Sequence, residues 1–126
     1  MPTVRVVDDE FGVAEVLELI LEDEGYRVFS AANGRQGLER LREVAPDLVI
    51  LDFMMPILDG PGTLDAIRGN PDHVRTPVVM MSSMDEVTVR GRCNGYQSFL
   101  HKPFRVVDVI AAIAKAVPND PDQAGE

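Results

Sequence analysis

The sequence has little of several residue types, and each shortage excludes a class of protein. Cys93 is the only cysteine, so no disulfide can form within the chain, and this usage fits a reducing compartment. No apolar run approaches the roughly 18 residues of a membrane-spanning helix. The N-terminus also lacks the charged and apolar stretches of a secretion signal. We therefore expect a cytoplasmic protein that does not enter the membrane.

Basic residues are scarce as well. The 126 residues contain 12 lysines and arginines against 21 aspartates and glutamates, which gives a net charge of -9. A nucleic-acid surface needs clustered positive charge, so this balance speaks against direct contact with DNA or RNA. The length fits a single domain that buries its own core.

What the chain does have is a regular alternation of short apolar runs and amphipathic stretches. The runs predict strands over residues 3–7, 26–30, 47–52, 77–82 and 99–101. Helices are predicted over 11–24, between Asn33 and Pro46, and over 62–68, 85–94 and 106–117. Parallel neighbouring strands need crossover helices, so this alternation predicts a doubly wound α/β fold. We assign the domain to residues 1–118 and a polar tail or linker stub to 119–126.

Individual helices carry further expectations. The third should be short and irregular because of Pro61, Gly62 and Gly69, and the fourth is weak because Gly91 interrupts it. Two helices show apolar residues at a spacing that predicts burial. These residues are Val13, Val16, Leu17, Ile20 and Leu21 in the first helix, and Val107, Ile110, Ala114 and Val117 in the last.

Acidic residues follow two of the predicted strands at the point where each strand ends. Asp8, Asp9 and Glu10 follow the first strand, and Asp52 ends the third. Ligands of an open α/β sheet bind outside the carboxyl ends of its strands, so Asp8, Asp9 and Asp52 should share one pocket. Two carboxylates about 4 Å apart repel by about 4 kcal/mol at an effective dielectric of about 20. The pocket therefore favours a hard cation such as Mg²⁺, or the retention of one proton.

Two other strand ends add groups suited to phosphate. Ser82 closes the fourth strand and Lys102 follows the fifth. Asp52 is positioned as a nucleophile, Ser82 as a hydrogen-bond donor to one phosphoryl oxygen, and Lys102 as the neutralising charge on another. Phosphoryl transfer needs mainly positioning and electrostatic stabilisation, so such a site can catalyse its own modification.

Four sequence blocks resemble the signature of bacterial response-regulator receiver domains, the phosphoacceptors of two-component signal transduction. The blocks are VDDE at residues 7–10, LDFMMPILDG at 51–60, PVVMMSS at 77–83 and KPF at 102–104. They occur in the family's order, at the ends of strands one, three, four and five, and span nearly the whole chain. The resemblance implies a five-stranded, flavodoxin-like (βα)5 fold with strand order 2-1-3-4-5, as in the chemotaxis-regulator-like superfamily.

The resemblance also implies a role for each acidic position. Asp52 matches the phosphoacceptor, which becomes an aspartyl phosphate and is also a metal ligand. Asp9 matches the direct Mg²⁺ ligand, and Asp8 the acid that holds metal-bound water. Met54 matches the residue whose backbone carbonyl completes the metal site.

The remaining matches concern the phosphoryl group and the switch. Ser82 matches the switch hydroxyl, Phe99 the aromatic switch position and Lys102 the phosphate-pairing lysine, whose bond to Pro103 is expected to be cis. The chain departs from the commoner family pattern in the run from Gly95 to Phe99. It also carries serine where many relatives have threonine, and phenylalanine where many have tyrosine.

The implied function is a phosphorelay response regulator rather than an enzyme acting on other substrates. A sensor histidine kinase or a histidine phosphotransfer protein would donate the phosphoryl group. The surface of helix four, strand five and helix five would then change and control a downstream protein. We expect a stand-alone regulator, with a receiver fragment of a transcription factor or enzyme as the alternative. Homodimerisation on phosphorylation also stays open.

Two other classes of protein fit less well. A haloacid-dehalogenase-like phosphohydrolase needs a second acid two residues after its nucleophile, and Met54 stands there. A flavodoxin-like FMN carrier needs a first loop that cradles phosphate, whereas Asp8, Asp9 and Glu10 would repel it. Three simpler interpretations also stay open. Ser82 with Ser83 would only cap the next helix, Phe99 would be plain core, and Cys93 would be an unreactive, partly buried helix residue.

Overall fold

The computed structural model describes residues 2–117, which form five strands and five helices in alternation. The strands are β1 (Thr3–Val7), β2 (Arg27–Ala31), β3 (Leu48–Asp52), β4 (Val78–Ser82) and β5 (Ser98–His101). The helices are α1 (Phe11–Asp23), α2 (Gly34–Glu43), α3 (Gly60–Gly69), α4 (Glu86–Arg90) and α5 (Val106–Ala116). The tail predicted at 119–126 lies outside the described residues.

The strands pair in parallel in the order β2-β1-β3-β4-β5, which confirms the predicted topology. In this register Val7 pairs with Leu51, Asp52 with Met81, and Ser82 with His101. The carboxyl ends of the neighbouring strands β1, β3, β4 and β5 therefore lie side by side at one edge of the sheet. This edge is where the sequence predicts the site.

Helices cover both faces of the sheet and divide the core into two layers. The α1 and α5 side encloses Val4, Val6, Leu17, Leu21, Ile50 and Val79 among others, and the α2, α3 and α4 side encloses Val7, Leu41, Leu51, Leu64, Ile67 and Met80 among others. Every residue of β3 and β4 is buried. Strands covered on both faces are expected to be continuously apolar, as these two are up to their last residue.

Side-chain caps fix where three of the helices begin. The side chain of Asn33 accepts a hydrogen bond from Gln36 N and so caps the start of α2, after the residue where the sequence predicts this helix to begin. Asp59 caps α3 in the same way through Gly62 N. The helix predicted from residue 62 therefore begins at Gly60, because Pro61 is well suited to a first turn whose N–H groups need no helical acceptor.

Three helices differ from expectation. The third was predicted to be short and irregular but is a continuous helix of ten residues, because Pro61 and Gly62 fall in its capped first turn and Gly69 is its last residue. The predicted helix 85–94 is only five residues long, since Asp85 caps its start and Gly91 follows its end. Cys93 consequently lies outside a helix, where burial raises the pKa of its thiol and favours the unreactive interpretation. In α5 the predicted buried face is wrong. The buried residues are Val109, Ala112, Ile113 and Ala116, whereas Val107, Ile110, Ala114 and Val117 are exposed.

The first helix also presents a slightly different face. Leu17 and Leu21 are buried as predicted, with Ala14 beside them, but Val16 is exposed at the surface.

Among the described residues, no helix combines the length and the apolar character needed to cross a membrane.

Candidate functional site

The strand ends bring three of the predicted site residues into direct contact. Asp8 follows β1, Asp52 ends β3 and Lys102 follows β5. The Lys102 Nζ atom lies 3.0 Å from Asp8 Oδ2 and 3.2 Å from Asp52 Oδ1. Both carboxylates are buried, and the ammonium group is largely shielded from solvent. The fold therefore brings two acids and a lysine that are far apart in sequence, Asp8, Asp52 and Lys102, into one cluster.

The charge balance of this cluster is uneven. A third acid, Glu10, also lies within ion-pair distance of Lys102, at 3.4 Å. One ammonium group thus faces three carboxylates in a partly buried site. Repulsion among the acids is only partly offset, and this leaves the cluster short of positive charge.

The pKa values of the two buried acids reflect that shortage. Burial, and after it the nearby charge of Asp8, raise the pKa of Asp52 to about 6, although Lys102 acts in the opposite direction. Burial also raises the pKa of Asp8, against hydrogen bonds from Glu10 N and Lys102. Asp52 is still mostly ionised at neutral pH, as a nucleophile must be.

Lys102 stays charged in this environment. Burial by itself would lower its pKa, but the hydrogen bond to Asp8 and the charges of Asp52 and Asp8 outweigh burial and raise the pKa. A lysine that keeps its proton next to the Asp52 carboxylate can pair with an incoming anion. Its role as the phosphate-pairing lysine stays a prediction.

The acidic cluster fits a divalent cation. Asp8, Glu10 and Asp52 each offer a carboxylate oxygen, and the three oxygens lie within 4.8 Å of one another. An all-oxygen donor set suits Mg²⁺. Asp9, which was predicted as the direct ligand, is exposed and lies outside this group, although its charge raises the pKa of Asp52. Its role as a ligand stays a prediction.

Glu10 is the member of the cluster to which sequence reasoning gave no role. Alternation along an extended chain turns Asp8 inward and Asp9 outward, and Glu10 returns to the inner side at the start of α1. The run of three acids contained this signal, since residues two apart in an extended segment share a side. Its backbone N–H also donates to Asp8 Oδ1 at 2.8 Å, which ties the two acids together.

Ser82 lies at the same edge, at the end of β4, and is buried. Its Oγ accepts a hydrogen bond from Met84 N at 3.0 Å, which leaves the hydroxyl proton available for donation. Asp85, not Ser82 or Ser83, supplies the side-chain cap of α4. The helix-capping interpretation of the serine pair is therefore wrong.

A cleft of about 610 Å³ opens over these groups. Its polar wall contains Asp52, Ser82 and Lys102, so the predicted acceptor carboxylate and both predicted phosphate partners face one space. The remaining wall is largely apolar and is formed by Val13, Val16, Met54, Pro103 and Phe104, among others. Met54 is thus placed at the site, while the use of its carbonyl as a ligand stays a prediction.

The loop after Asp52 passes very close to the strand that carries it. A Cβ atom on Gly60 would lie 2.6 Å from the carbonyl oxygen of Asp52 and 2.7 Å from Phe53 Cα, so only glycine fits there. Within the same loop Ile57 has a φ of 71°, which is uncommon for a β-branched residue. Close packing at Gly60 holds the loop against the end of β3.

The switch positions have a mixed environment. Phe99 is half buried, packs against the α2, α3 and α4 side of the core, and lies with its ring centroid 6.5 Å from those of Tyr96 and His101. The structure thus gives it partial burial, and its movement stays a prediction. The Lys102–Pro103 bond is cis, as the resemblance implies.

Comparison with known proteins identifies the family. Residues 4–114 match the family described as "Response regulator receiver domain". The chain is 34% identical to protein PilG of Pseudomonas aeruginosa, covering 92% of this chain and 87% of PilG. It is 33% identical to the phosphate regulon transcriptional regulatory protein PhoB of Rhizobium meliloti, covering 90% of this chain and 51% of that protein.

The longer relatives share only this part of their length. Identity to the DNA-binding response regulator MtrA of Mycobacterium tuberculosis is 30%, and the chain spans 54% of that protein. The solved structure of the chemotaxis response regulator CheY4 of Vibrio cholerae superimposes with a TM-score of 0.86 at 28% identity, covering 93% of this chain and 99% of that one. The chain described here belongs to the response regulator receiver domain family.

Proposed function

We propose that this receiver domain accepts a phosphoryl group on Asp52 from a phosphohistidine of a partner kinase or phosphotransfer protein. The observation that carries the proposal is the placement of the buried Asp52 carboxylate 3.2 Å from Lys102 Nζ, in an open cleft that Ser82 also lines. A nucleophile, a cation and a hydroxyl donor around one space suit an incoming phosphoryl group.

Each group has a distinct part in the transfer. An Asp52 carboxylate oxygen attacks phosphorus, and the bond from phosphorus to the donor's imidazole nitrogen breaks. The electron pair of that bond stays on the imidazole nitrogen, and with a proton on its other nitrogen the ring leaves as neutral imidazole. Lys102 pairs with one phosphoryl oxygen, and the Ser82 hydroxyl donates to another.

A metal ion completes the charge balance. Asp8, Asp52 and the neighbouring acids Asp9 and Glu10 would hold Mg²⁺, with the backbone carbonyl of Met54 as a further ligand. When bound, Mg²⁺ supplies the positive charge that one lysine cannot provide against three carboxylates and a phosphoryl group. The predicted activity is limited to the domain's own phosphorylation and dephosphorylation.

Phosphorylation would be transmitted through the fourth helix and fifth strand. Ser82 is three residues before Asp85, the N-cap of α4, so movement of its hydroxyl toward a phosphoryl oxygen would pull on Met84 N and on α4. Phe99, half buried beside β4, would turn inward into the space released. The α4, β5 and α5 surface would then exchange between two packings and control a downstream protein.

The relatives support two forms of output. Coverage of most of PilG and of nearly all of the CheY4 structure supports a regulator that acts as a single domain and binds a partner protein. PhoB and MtrA, of which the chain spans about half, support a receiver joined to another domain. We favour the first form.

Cytoplasmic location stays a prediction.

Incubation of the protein with Mg²⁺ and acetyl phosphate or phosphoramidate tests the proposal. One phosphoryl group should be added, stable to acid and released by hydroxylamine, and intact-mass measurement detects it. Asp52→Asn should abolish the label, whereas Asp72→Asn, at an exposed position away from the cleft, should keep it. A label that persists in Asp52→Asn would refute the assignment.

A further inference from the structure

The outer face of α5 is apolar, and nothing in residues 2–117 covers it. Val107 is 59% exposed and Ile110 is 38% exposed, and Ala114 and the C-cap Val117 are exposed as well. The opposite face of the helix is buried against the sheet. A helix that is apolar on two faces is typical of one that packs between two surfaces. We call the set Val107, Ile110, Ala114 and Val117 the outer stripe.

The spacing of the outer stripe identifies the kind of element that would cover it. Its members follow one another at intervals of three, four and three positions, as their numbers show. This is the a/d spacing of helices that pack side by side, with knobs that enter holes on the facing helix. An extended segment would instead match side chains two apart. The outer stripe therefore fits a helix.

Charge indicates which helix can approach. Within α5 the charged residues are Asp108 and Lys115, which cancel, although the whole chain has a net charge of -9. The neighbouring α1 carries several acids and no basic residue. Two copies of such an acidic chain repel one another electrostatically. This repulsion is smallest where the facing surfaces carry no net charge, as on α5.

We propose that α5 pairs in antiparallel orientation with α5 of a second copy of this chain. A two-fold axis at residue 112 places Ile110 opposite the partner's Ala114 and Val107 opposite the partner's Val117. Large side chains then meet small or medium ones, which allows the helices to pack closely. The interface is isologous, because each helix presents the same stripe to the other.

The charges and dipoles agree with this orientation. Asp108 lies in the first turn of α5 and Lys115 in the last, at nearly equal distances from residue 112. In the antiparallel pair each Asp108 carboxylate comes level with the partner's Lys115, on the same side of the pair. The two helix dipoles also oppose one another, whereas a parallel pair would align like ends.

This surface is distinct from the proposed output face. The groove between α4 and α5 is lined on the α5 side by Asp108, Ala111, Ala112 and Lys115, none of which belongs to the outer stripe. Pairing through the outer stripe leaves that groove open. The proposal does not require phosphorylation of Asp52, so it goes beyond the proposed function and can fail separately.

Sedimentation equilibrium of the 126-residue protein tests the pairing. The protein should associate to a dimer as its concentration rises through the micromolar range. Ile110→Glu and Val107→Glu should each shift the dissociation constant by at least tenfold, with unchanged circular dichroism. Leu19→Glu is the matched control, because Leu19 is an apolar residue of α1 that is 65% exposed. Its dimer should persist.

Disulfide trapping tests the orientation in a Cys93→Ser background. In the antiparallel pair the two copies of residue 107 are about 15 Å apart along the helix axis. That separation is too long for a disulfide. A mixture of Val107→Cys and Val117→Cys chains should therefore cross-link under mild oxidation, and Val107→Cys alone should not. Cross-linking of Val107→Cys alone, or a monomer at all concentrations, overturns the proposal. Phosphoryl labelling of Asp52 would be unaffected by either result.

Discussion

At the scale of single residues, the proposed phosphoacceptor Asp52 is a carboxylate that the fold holds at some cost in stability. Asp52 is 5% exposed and lies near a second buried acid, Asp8, with Lys102 as the shared counter-charge. Burial and Asp8 together raise the pKa of Asp52 to about 6, from an ordinary value of 3.8. Ionised Asp52 is therefore less favourable in the folded protein than in the unfolded chain.

The pH dependence of stability follows from the sign of that shift. Below about pH 4 the group is protonated in both states, and above about pH 6 it is ionised in both, so stability should fall as pH rises between these values. Asp52→Asn removes the ionisable group. Without Mg²⁺, it should raise the free energy of unfolding at pH 7.5 by on the order of 1–3 kcal/mol, and little near pH 4.

Urea denaturation at both pH values measures this effect. Asp65→Asn, on the exposed surface of α3, is the control and should change stability little at either pH. Equal stability of Asp52→Asn and the unmutated protein at pH 7.5 would show that Lys102 fully compensates the buried charge.

Arg5 is a buried charged residue inside β1 to which no role was assigned from the sequence. Arg5 stands within the apolar run of β1, is buried, and has its guanidinium 5.4 Å from the ring centroid of Phe29. Its Nη2 donates to Arg40 O at 3.5 Å, and burial lowers its pKa. The strand was still predicted correctly, because Val4, Val6 and Val7 form an apolar run that tolerates one long side chain packed along an aromatic ring.

At the scale of elements, one arginine links the end of α3 to the two loops that precede β4 and β5. Arg68, in its last turn, donates to the carbonyl oxygens of Thr76 at 2.8 Å and Gly95 at 2.8 Å, and to Gln97 Oε1 at 2.9 Å. The Gln97 oxygen also accepts from Val78 N, the first residue of β4. The run from Gly95 to Phe99, which departs from the commoner family pattern, therefore supplies two acceptors for Arg68.

Removal of this arginine should loosen the loops that precede β4 and β5. Arg68→Ala leaves several carbonyl groups without their donor, so we expect the free energy of unfolding to fall by about 2–4 kcal/mol. Arg68→Lys should recover less than half of that loss, because an ammonium group lacks the planar set of donors that reaches two loops.

Chemical denaturation of both variants checks this prediction. Arg75→Ala serves as the control, since Arg75 lies in an exposed loop, and its change should stay within about 0.5 kcal/mol. A loss of similar size in Arg75→Ala would point to general charge effects instead of the Arg68 hydrogen bonds.

Helix burial was the element-level feature that sequence periodicity predicted least well. The last helix has apolar residues on two faces, and the spacing of Val107, Ile110 and Ala114 is as regular as that of Val109, Ala112 and Ala116. A periodic pattern defines faces but not which of two apolar faces meets the sheet. That choice depends on the positions of β4 and β5.

At the scale of the whole molecule, a net charge of -9 is concentrated partly at one edge of the sheet. The three carboxylate oxygens within 4.8 Å of one another compete for Lys102, and a divalent cation would relieve their repulsion. A cation that binds only the folded protein stabilises it by mass action, by about 2.7 kcal/mol at a hundredfold excess over the dissociation constant.

Addition of Mg²⁺ should therefore raise the melting temperature, and more at pH 8 than at pH 5. The difference arises because protons compete for Asp52, whose pKa of about 6 lies between these values, and for Asp8, whose pKa is also raised. Differential scanning calorimetry measures both shifts. Asp8→Asn should remove most of the shift at pH 8, and equal shifts at both pH values would contradict a carboxylate site.

The sequence by itself determined the fold class, the strand order through family resemblance, and the strand ends that carry Asp8, Asp52, Ser82 and Lys102. These follow from local signals, since apolar runs and their polar ends are set along the chain. Tertiary structure alone decided that Lys102 comes within 3.0 to 3.4 Å of Asp8, Asp52 and Glu10, and that the outer stripe of α5 is exposed. Such features depend on distances between elements far apart in sequence, and no local pattern encodes them.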